Sequence, residues 1–243
     1  MNADGADRLD AEVAAAASRV RARIRSALER SGRSAAGVQI IAVTKGQPPE
    51  LVRAAAAAGL CDIGENRVQE ALAKKGALGA FAAGLRWHLI GHLQRNKVRH
   101  AWDEFVLIHS VDSGEVADRL ARRAIEAGRE VPVLVQVNVA GEPTKHGFTG
   151  EQVLAEFGRL RRLPGIAVRG LMTMAPWAAD PEEVRPVFRA LRLLRDRLAA
   201  EHGVDLPELS MGMSGDFEVA VEEGASMVRL GTVLFGARPV EAA

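Results

Sequence analysis

The chain has 243 residues, 48% of them hydrophobic, and its 32 basic and 31 acidic residues leave a formal charge of +1. That balance predicts no strong electrostatic attraction to nucleic acid or to a membrane surface. The single cysteine, Cys61, excludes an intramolecular disulfide and a zinc site built from several cysteines. The N-terminus lacks the pattern of a signal peptide, and no apolar run approaches the roughly 20 residues of a membrane helix. We therefore expect a soluble, cytoplasmic protein.

Residues 1–34 are predicted to form a frayed segment and one helix. Residues 1–7 are expected to be frayed, and the helix is expected from residue 8 to residue 30. Its apolar side chains fall roughly on one stripe, which comprises Leu9, Val13, Val20, Ile24 and Leu28. We expect this helix to pack against the outside or the bottom of the domain that follows.

Strands and helices alternate strictly along residues 35–238. The predicted strands are 38–45, 61–65, 85–91, 105–111, 132–139, 166–174, 209–213 and 227–235. The predicted helices between them are 49–58, 67–75, 94–102, 114–127, 151–163, 181–202 and 215–223. Such alternation predicts parallel strands with right-handed crossovers. Eight of these strands can close into a single α/β domain, a (β/α)8 TIM barrel. The rival, an open doubly wound sheet, is disfavoured because no G-x-G-x-x-G turn follows the first strand.

Lys45 stands at the end of the first predicted strand, which is apolar along its whole length. Parallel strands of this kind are covered on both faces. TIM barrels bind their ligands at the carboxyl ends of the strands. A desolvated lysine at this position can attack a carbonyl as a free amine. The alternative is an ordinary lysine that extends into water.

The other strand ends form a polar ring without a pair of carboxylates, which argues against a two-carboxylate hydrolase. His88, His92 and His109 belong to this ring. No aspartate or glutamate converges with them at ligand spacing in the sequence, so we predict no metal site.

Two turns near the end of the chain are rich in small and hydroxyl residues. Ser214 closes the segment SMGMS before a helix, and Gly231-Thr232 follows the eighth strand. TIM barrels frequently hold phosphate at the turns after strands seven and eight. The alternative is that Ser214 only caps a helix and the glycines only shape loops. Together with Lys45, the two turns suggest a ligand with an aldehyde and a phosphate, either pyridoxal 5′-phosphate (PLP) or a sugar phosphate.

Six motifs resemble one family, the pyridoxal phosphate homeostasis proteins, whose fold is similar to the N-terminal barrel of alanine racemase. They are IAVTK at 41–45, IGENRVQE at 63–70, WHLIGHLQRNK at 87–97, RGLMTM at 169–174, LSMGMS at 209–214 and VRLGT at 228–232. The resemblance implies that Lys45 carries PLP as a Schiff base and that Arg229 faces its pyridine nitrogen. It also implies phosphate contacts from Ser214, Gly231 and Thr232, and a pocket wall formed by Asn66, His88 and Met172.

The chain departs from the family at two places. Many members carry a second lysine two positions after the Schiff-base lysine, where this chain has Gln47. An auxiliary role of that lysine in loading or transferring the cofactor is therefore in doubt here. Residues 1–34 carry no family motif.

An arginine can only donate to the pyridine nitrogen, which leaves the cofactor ring a weak electron sink. Racemases with this barrel add a tyrosine from a second domain, and we expect that domain to be absent because the chain contains no tyrosine. We therefore predict a monomeric PLP carrier of vitamin B6 homeostasis without a catalytic residue. Its expected partners are PLP and apo forms of PLP enzymes, without nucleic acid or membrane. The alternatives are a small PLP-dependent amino-acid racemase and a class I aldolase.

The segment 141–147 is predicted to be a long polar loop that overhangs the mouth of the barrel and can act as a lid. Lys145 in this loop is a candidate second amine, although an exposed loop lysine is the ordinary case.

Overall fold

The computed structural model describes residues 3–33, 37–142 and 145–237. Within these ranges the strands are β1 (Gln39–Val43), β2 (Asp62–Glu65), β3 (Arg86–Leu89), β4 (Leu107–Val111), β5 (Val131–Gln136), β6 (Ile166–Met172), β7 (Glu208–Ser210) and β8 (Met227–Leu230). The helices are α1 (Ala3–Arg30), α2 (Pro49–Ala57), α3 (Val68–Leu78), α4 (Gly114–Glu126), α5 (Gly150–Leu160), α6 (Arg185–His202), α7 (Phe217–Glu222) and α8 (Thr232–Phe235). Short 3-10 turns cover Gly79–Gly84, Arg95–His100 and Pro181–Val184.

The eight strands form a closed parallel barrel in chain order. Closure is made by β1, which pairs with β2 on one side and with β8 on the other. Ala42 marks this double pairing, since it lies opposite Ile63 of β2 and Leu230 of β8. The predicted (β/α)8 barrel with an extra N-terminal helix is confirmed.

Apolar side chains fill both the barrel and the layer between strands and helices. The large cluster joins the outer faces of the strands to the helices around them. A second cluster lies inside the barrel and consists of Ile41, Ile90, Leu107, Leu134, Met172 and Met227. This inner layer lies directly beneath the carboxyl ends of the strands.

Helix α1 packs on the outside of the barrel against α2, α7 and α8, as predicted. Val20 and Ala27 on its inner face are fully buried. Arg23 and Arg30 form ion pairs of 2.7 Å with Glu218 and Glu222. The prediction that residues 1–7 are frayed is wrong from residue 3 onward, because the helix begins at Ala3.

Three predicted elements are corrected. The helix expected at 94–102 is only the 3-10 turn Arg95–His100. The last strand ends at Leu230 rather than at residue 235, because Gly231 leaves the extended region with ψ of −79° and α8 begins after it. The helix predicted from 181 is a 3-10 turn up to Val184, and α6 follows. The predicted domain limits at residues 34, 35 and 238 lie outside the described residues. Among the described helices, none has the length and apolar character needed to cross a membrane.

Candidate functional site

A cavity of about 770 Å³ opens at the carboxyl ends of the barrel strands. Its wall takes side chains from the ends of β1, β2, β3, β5, β6, β7 and β8 or from the loops after them. Six of the eight predicted site residues line it, namely Lys45, Asn66, Ser214, Arg229, Gly231 and Thr232. The fold therefore brings together residues that lie up to 187 positions apart in the chain.

Lys45 follows β1, and its side chain is half-buried in the cavity wall. Contacts to the neighbouring residues hold its backbone in place. Lys74 Nζ donates to the carbonyl oxygen of Thr44, and the carboxylate of Glu70 accepts from the backbone N–H of Gly46. Lys74 Nζ also lies 2.8 Å from the carboxylate of Glu70. The Lys74 amine and the Glu70 carboxylate therefore hold the backbone on both sides of Lys45.

The two carboxylates that contact Lys74 have pKa values shifted in opposite directions. Burial raises the pKa of Glu65, although Lys74 and Thr44 donate hydrogen bonds of 2.6 and 2.5 Å to its Oε1. Burial also acts against the charge of Glu70, but hydrogen bonds from Lys74 and Gly46 outweigh it and lower the Glu70 pKa. Glu70 is therefore the carboxylate that stays charged opposite Lys74 over the wider pH range.

Arg229 reaches the cavity from β8, with only 4% of its surface exposed. Its Nη1 donates to Ser210 Oγ at 2.7 Å and its Nη2 donates to the Thr173 carbonyl oxygen at 2.8 Å. Burial lowers the pKa of Arg229 to about 10, while the charge of Asp216 acts in the opposite direction. The guanidinium therefore remains protonated at neutral pH and can only donate hydrogen bonds.

The turns after β7 and β8 are joined by Ser214. Its Oγ accepts hydrogen bonds from the backbone N–H groups of Gly231 at 3.3 Å and Val233 at 3.2 Å. Thr232 lies between these two residues and is exposed. Hydroxyl groups and backbone N–H groups arranged in this way are the donors that proteins use to hold anions.

His88 and Met172 are not among the residues that line this cavity, so their place in a ligand pocket stays a prediction. Both side chains are buried among inward-facing residues of the barrel. His88 is 2% exposed and contacts Asp62 and His109, each at 3.0 Å. Met172 is fully buried in the inner apolar cluster.

Histidines and carboxylates do converge, contrary to the sequence-based expectation. Asp62 lies beside His88, and at the cavity rim Asp112 lies 2.7 Å from Nδ1 of His92 and 4.0 Å from Nδ1 of His146. The rings of His92 and His146 stack with centroids 4.0 Å apart. A hydrogen bond and ring stacking account for this cluster, and the absence of a metal site stays a prediction.

Three further cavity residues escaped the sequence analysis. Burial raises the pKa of Asp216, although its Oδ1 accepts a 2.6 Å hydrogen bond from the Met213 backbone. Gln136 is buried at the end of β5, and Trp177 stands 90% exposed at the lip. Gln136 could have been predicted, because it is a polar residue at the end of an apolar strand. Trp177 could not, because it lies in a loop and no local sequence pattern shows where that loop runs.

Comparisons with known proteins agree with this architecture. The sequence profile described as alanine racemase, N-terminal domain, matches residues 17–239. The pyridoxal phosphate homeostasis protein of Aquifex aeolicus is 49% identical over 221 residues, which are 91% of this chain and 96% of that protein.

The chain belongs to the pyridoxal phosphate homeostasis protein family. Similar proteins of known structure include PipY of Synechococcus elongatus PCC7942 without PLP, with a TM-score of 0.80 at 43% identity over 90% of this chain and 99% of PipY. PipY with PLP bound has a TM-score of 0.78 at 42% identity over 89% of this chain and 100% of PipY. The resemblance deduced from the six motifs is therefore confirmed.

Proposed function

We propose that this protein binds PLP as a Schiff base on Lys45 and takes part in intracellular PLP homeostasis. The observation that carries the proposal is that one cavity contains an amine, a turn with hydroxyl and backbone N–H groups, and a buried guanidinium. PLP has three matching groups, namely an aldehyde, a phosphate and a pyridine nitrogen. The names of the relatives and the PLP-bound PipY support the same ligand.

Each group of the cofactor has candidate residues in the cavity. Lys45 would bind the aldehyde, while Ser214, Gly231 and Thr232 would hold the phosphate. Arg229 would donate to the ring nitrogen, and Asn66 would border the ring. The cavity of about 770 Å³ lies in the size range of small-molecule and cofactor sites. Bound PLP supplies reversible imine chemistry.

A carrier fits these residues better than an enzyme. Arg229 keeps the ring nitrogen unprotonated, which weakens the ring as an electron sink. The chain contains no tyrosine that can serve as a second base on the other face. The chemistry of the site is then the reversible imine itself, and no residue is assigned a catalytic role. Apo forms of PLP enzymes would be the recipients, and the cytoplasm would be the site of action.

The test is the visible spectrum of the purified protein, followed by borohydride reduction and mapping of the modified lysine. We expect a pyridoxal absorption band and modification at Lys45. The Lys45→Ala variant should lose both, whereas Lys145→Ala, which removes another lysine near the mouth, should keep both. A coloured wild-type protein with Lys45 unmodified contradicts the assignment, and a colourless one favours the aldolase alternative.

The racemase alternative predicts a different result. A racemase exchanges the α-hydrogen of a free amino acid with solvent, so deuterium should enter that position with steady turnover. For a carrier we expect neither turnover nor deuterium incorporation across a panel of amino acids. Sustained incorporation that requires Lys45 would replace the carrier proposal by the racemase.

A further inference from the structure

A chain of hydrogen bonds crosses the barrel interior from Arg229 to Asp62. Five strands supply one side chain each, and none of these residues is more than 5% exposed. Ser210 Oγ lies 2.7 Å from Nη1 of Arg229 and 2.8 Å from Nδ1 of His109. His109 Nε2 lies 3.0 Å from His88 Nδ1, and His88 Nε2 lies 3.0 Å from Oδ1 of Asp62. We call Asp62, His88, His109 and Ser210 the barrel relay.

The relay joins opposite ends of the barrel. Arg229 lines the cavity at the carboxyl ends of the strands. Asp62 lines a second cavity of about 430 Å³, between α1 and the amino ends of β1 and β2. There Arg86 donates to Asp62 from its Nε at 2.6 Å. The carboxylate thus lies on the far side of the barrel from the proposed ligand.

The donor and acceptor chemistry of the relay determines where its protons lie. Arg229 can only donate, so Ser210 accepts from it and has one hydroxyl proton to give. The acceptor for that proton among the described residues is Nδ1 of His109, which places the His109 proton on Nε2. His109 then donates to His88, and His88 donates from Nε2 to the carboxylate of Asp62. Every hydrogen bond points from the guanidinium toward the carboxylate.

A guanidinium and a carboxylate stand at the two ends of this array. Burial lowers the pKa of His109 well below its ordinary value, and His88 and Arg229 act in the same direction. At Asp62, burial acts against the charge, but hydrogen bonds from His88 and Arg86 outweigh it and lower the pKa to about 2. Hydrogen bonds aligned between opposite charges polarise and strengthen one another.

We propose that the barrel relay positions Arg229 as a fixed, charged donor toward an aromatic ring nitrogen in the cavity. Asp62 acts on that donor through the polarised hydrogen bonds of the relay, from the far side of the barrel. Ser210 and Thr173 engage two of the five N–H donors of the guanidinium and leave the others for a ligand. The proposal rests on the proposed function, because the ring is that of PLP.

The first measurement uses the wild-type protein without cofactor. Two-bond ¹H–¹⁵N correlation spectra of the labelled protein distinguish the two neutral tautomers and the imidazolium form of each histidine. We expect His109 to be neutral at pH 7 and to carry its proton on Nε2. A proton on Nδ1 of His109 overturns the direction of the relay.

The second measurement is the pH midpoint of the visible absorption band of the PLP-loaded protein. Asp62→Asn retains an oxygen that accepts from His88 but removes the negative charge, so a protonated Schiff base is disfavoured. We expect the midpoint to fall by about half a pH unit. Asp118→Asn changes an exposed aspartate on α4 and should leave the midpoint unchanged.

The Ser210→Ala variant tests whether the effect of Asp62 travels through the relay. In that background the shift caused by Asp62→Asn should fall to less than about half, because the link to Arg229 is cut. An unchanged midpoint in Asp62→Asn, or an equal shift with and without Ser210, overturns the proposal. A wild-type protein without the visible band overturns the proposed function instead and leaves the tautomer measurement valid.

Discussion

Gly212 shapes the turn that presents Ser214 to the cavity. Its φ of +93° lies in a region that side chains rarely adopt, and an added Cβ would come 2.6 Å from the Cβ of Ala220. An alanine therefore meets both backbone strain and a contact with α7. The glycine therefore allows the chain to turn sharply between the end of β7 and Ser214.

We predict that Gly212→Ala lowers the free energy of unfolding by about 3 kcal/mol. Urea denaturation of the apo protein measures it. Gly215→Ala is the matched control, because an added Cβ there meets nothing within 4 Å, and it should change stability by less than about 0.5 kcal/mol. Equal stability of the two variants would show that the turn relaxes around the added carbon.

At the scale of elements, α6 is joined to the end of α7 by charge. Glu223, at the C-cap of α7, has its side chain only 6% exposed and pairs with Arg189 at 2.9 Å and with Arg185 at 3.2 Å. Burial acts against the charge of Glu223, but the hydrogen bonds from both arginines outweigh it and lower its pKa. The contact fixes the helix that follows the Ser214 turn.

We predict that Glu223→Gln lowers the free energy of unfolding by about 2 kcal/mol at pH 7. Because the folded pKa is lowered, this stabilisation is complete above the ordinary glutamate pKa of about 4.3 and is lost as the pH falls below it. Denaturation at pH 7, 5, 4 and 3 should show the difference between wild type and variant shrinking toward acid. Glu126→Gln, which removes an exposed pair with Arg123, should have little effect at any pH.

At the scale of the whole molecule, one chain supplies all the residues assigned to PLP. Arg229 lies in β8, and the other residues lie in the loops that follow β1, β2, β7 and β8. These four strands are consecutive neighbours around the closed barrel, in the order β7, β8, β1 and β2. The proposed binding therefore requires no residue from a second copy.

We accordingly predict that the protein is a monomer of 26.0 kDa. Sedimentation equilibrium should give this mass with and without PLP, and the absorption band should not depend on protein concentration. A dimer whose dissociation releases PLP would contradict the prediction and would place part of the site at an interface.

Local pattern in the sequence determined the number and order of the strands and the position of Lys45. Continuous apolar runs and strict alternation leave few topologies, and the carboxyl ends of parallel strands necessarily meet at one edge. The turns at Ser214 and Gly231 followed from their composition. Element ends were less predictable, as the short β8 and the 3-10 turn at Arg95–His100 illustrate.

Only the tertiary structure decided which inward-facing side chains meet. His109 and Ser210 form a hydrogen bond across 101 positions, and Asp62 and His88 across 26. Such contacts depend on the tilt and register of strands around a closed barrel, which no single segment encodes. The same geometry joined His88 to His109 and Asp62, contacts that its motif did not predict. The sequence thus specifies the barrel and the position of Lys45 at the end of its first strand, and barrel closure specifies the buried network behind Arg229.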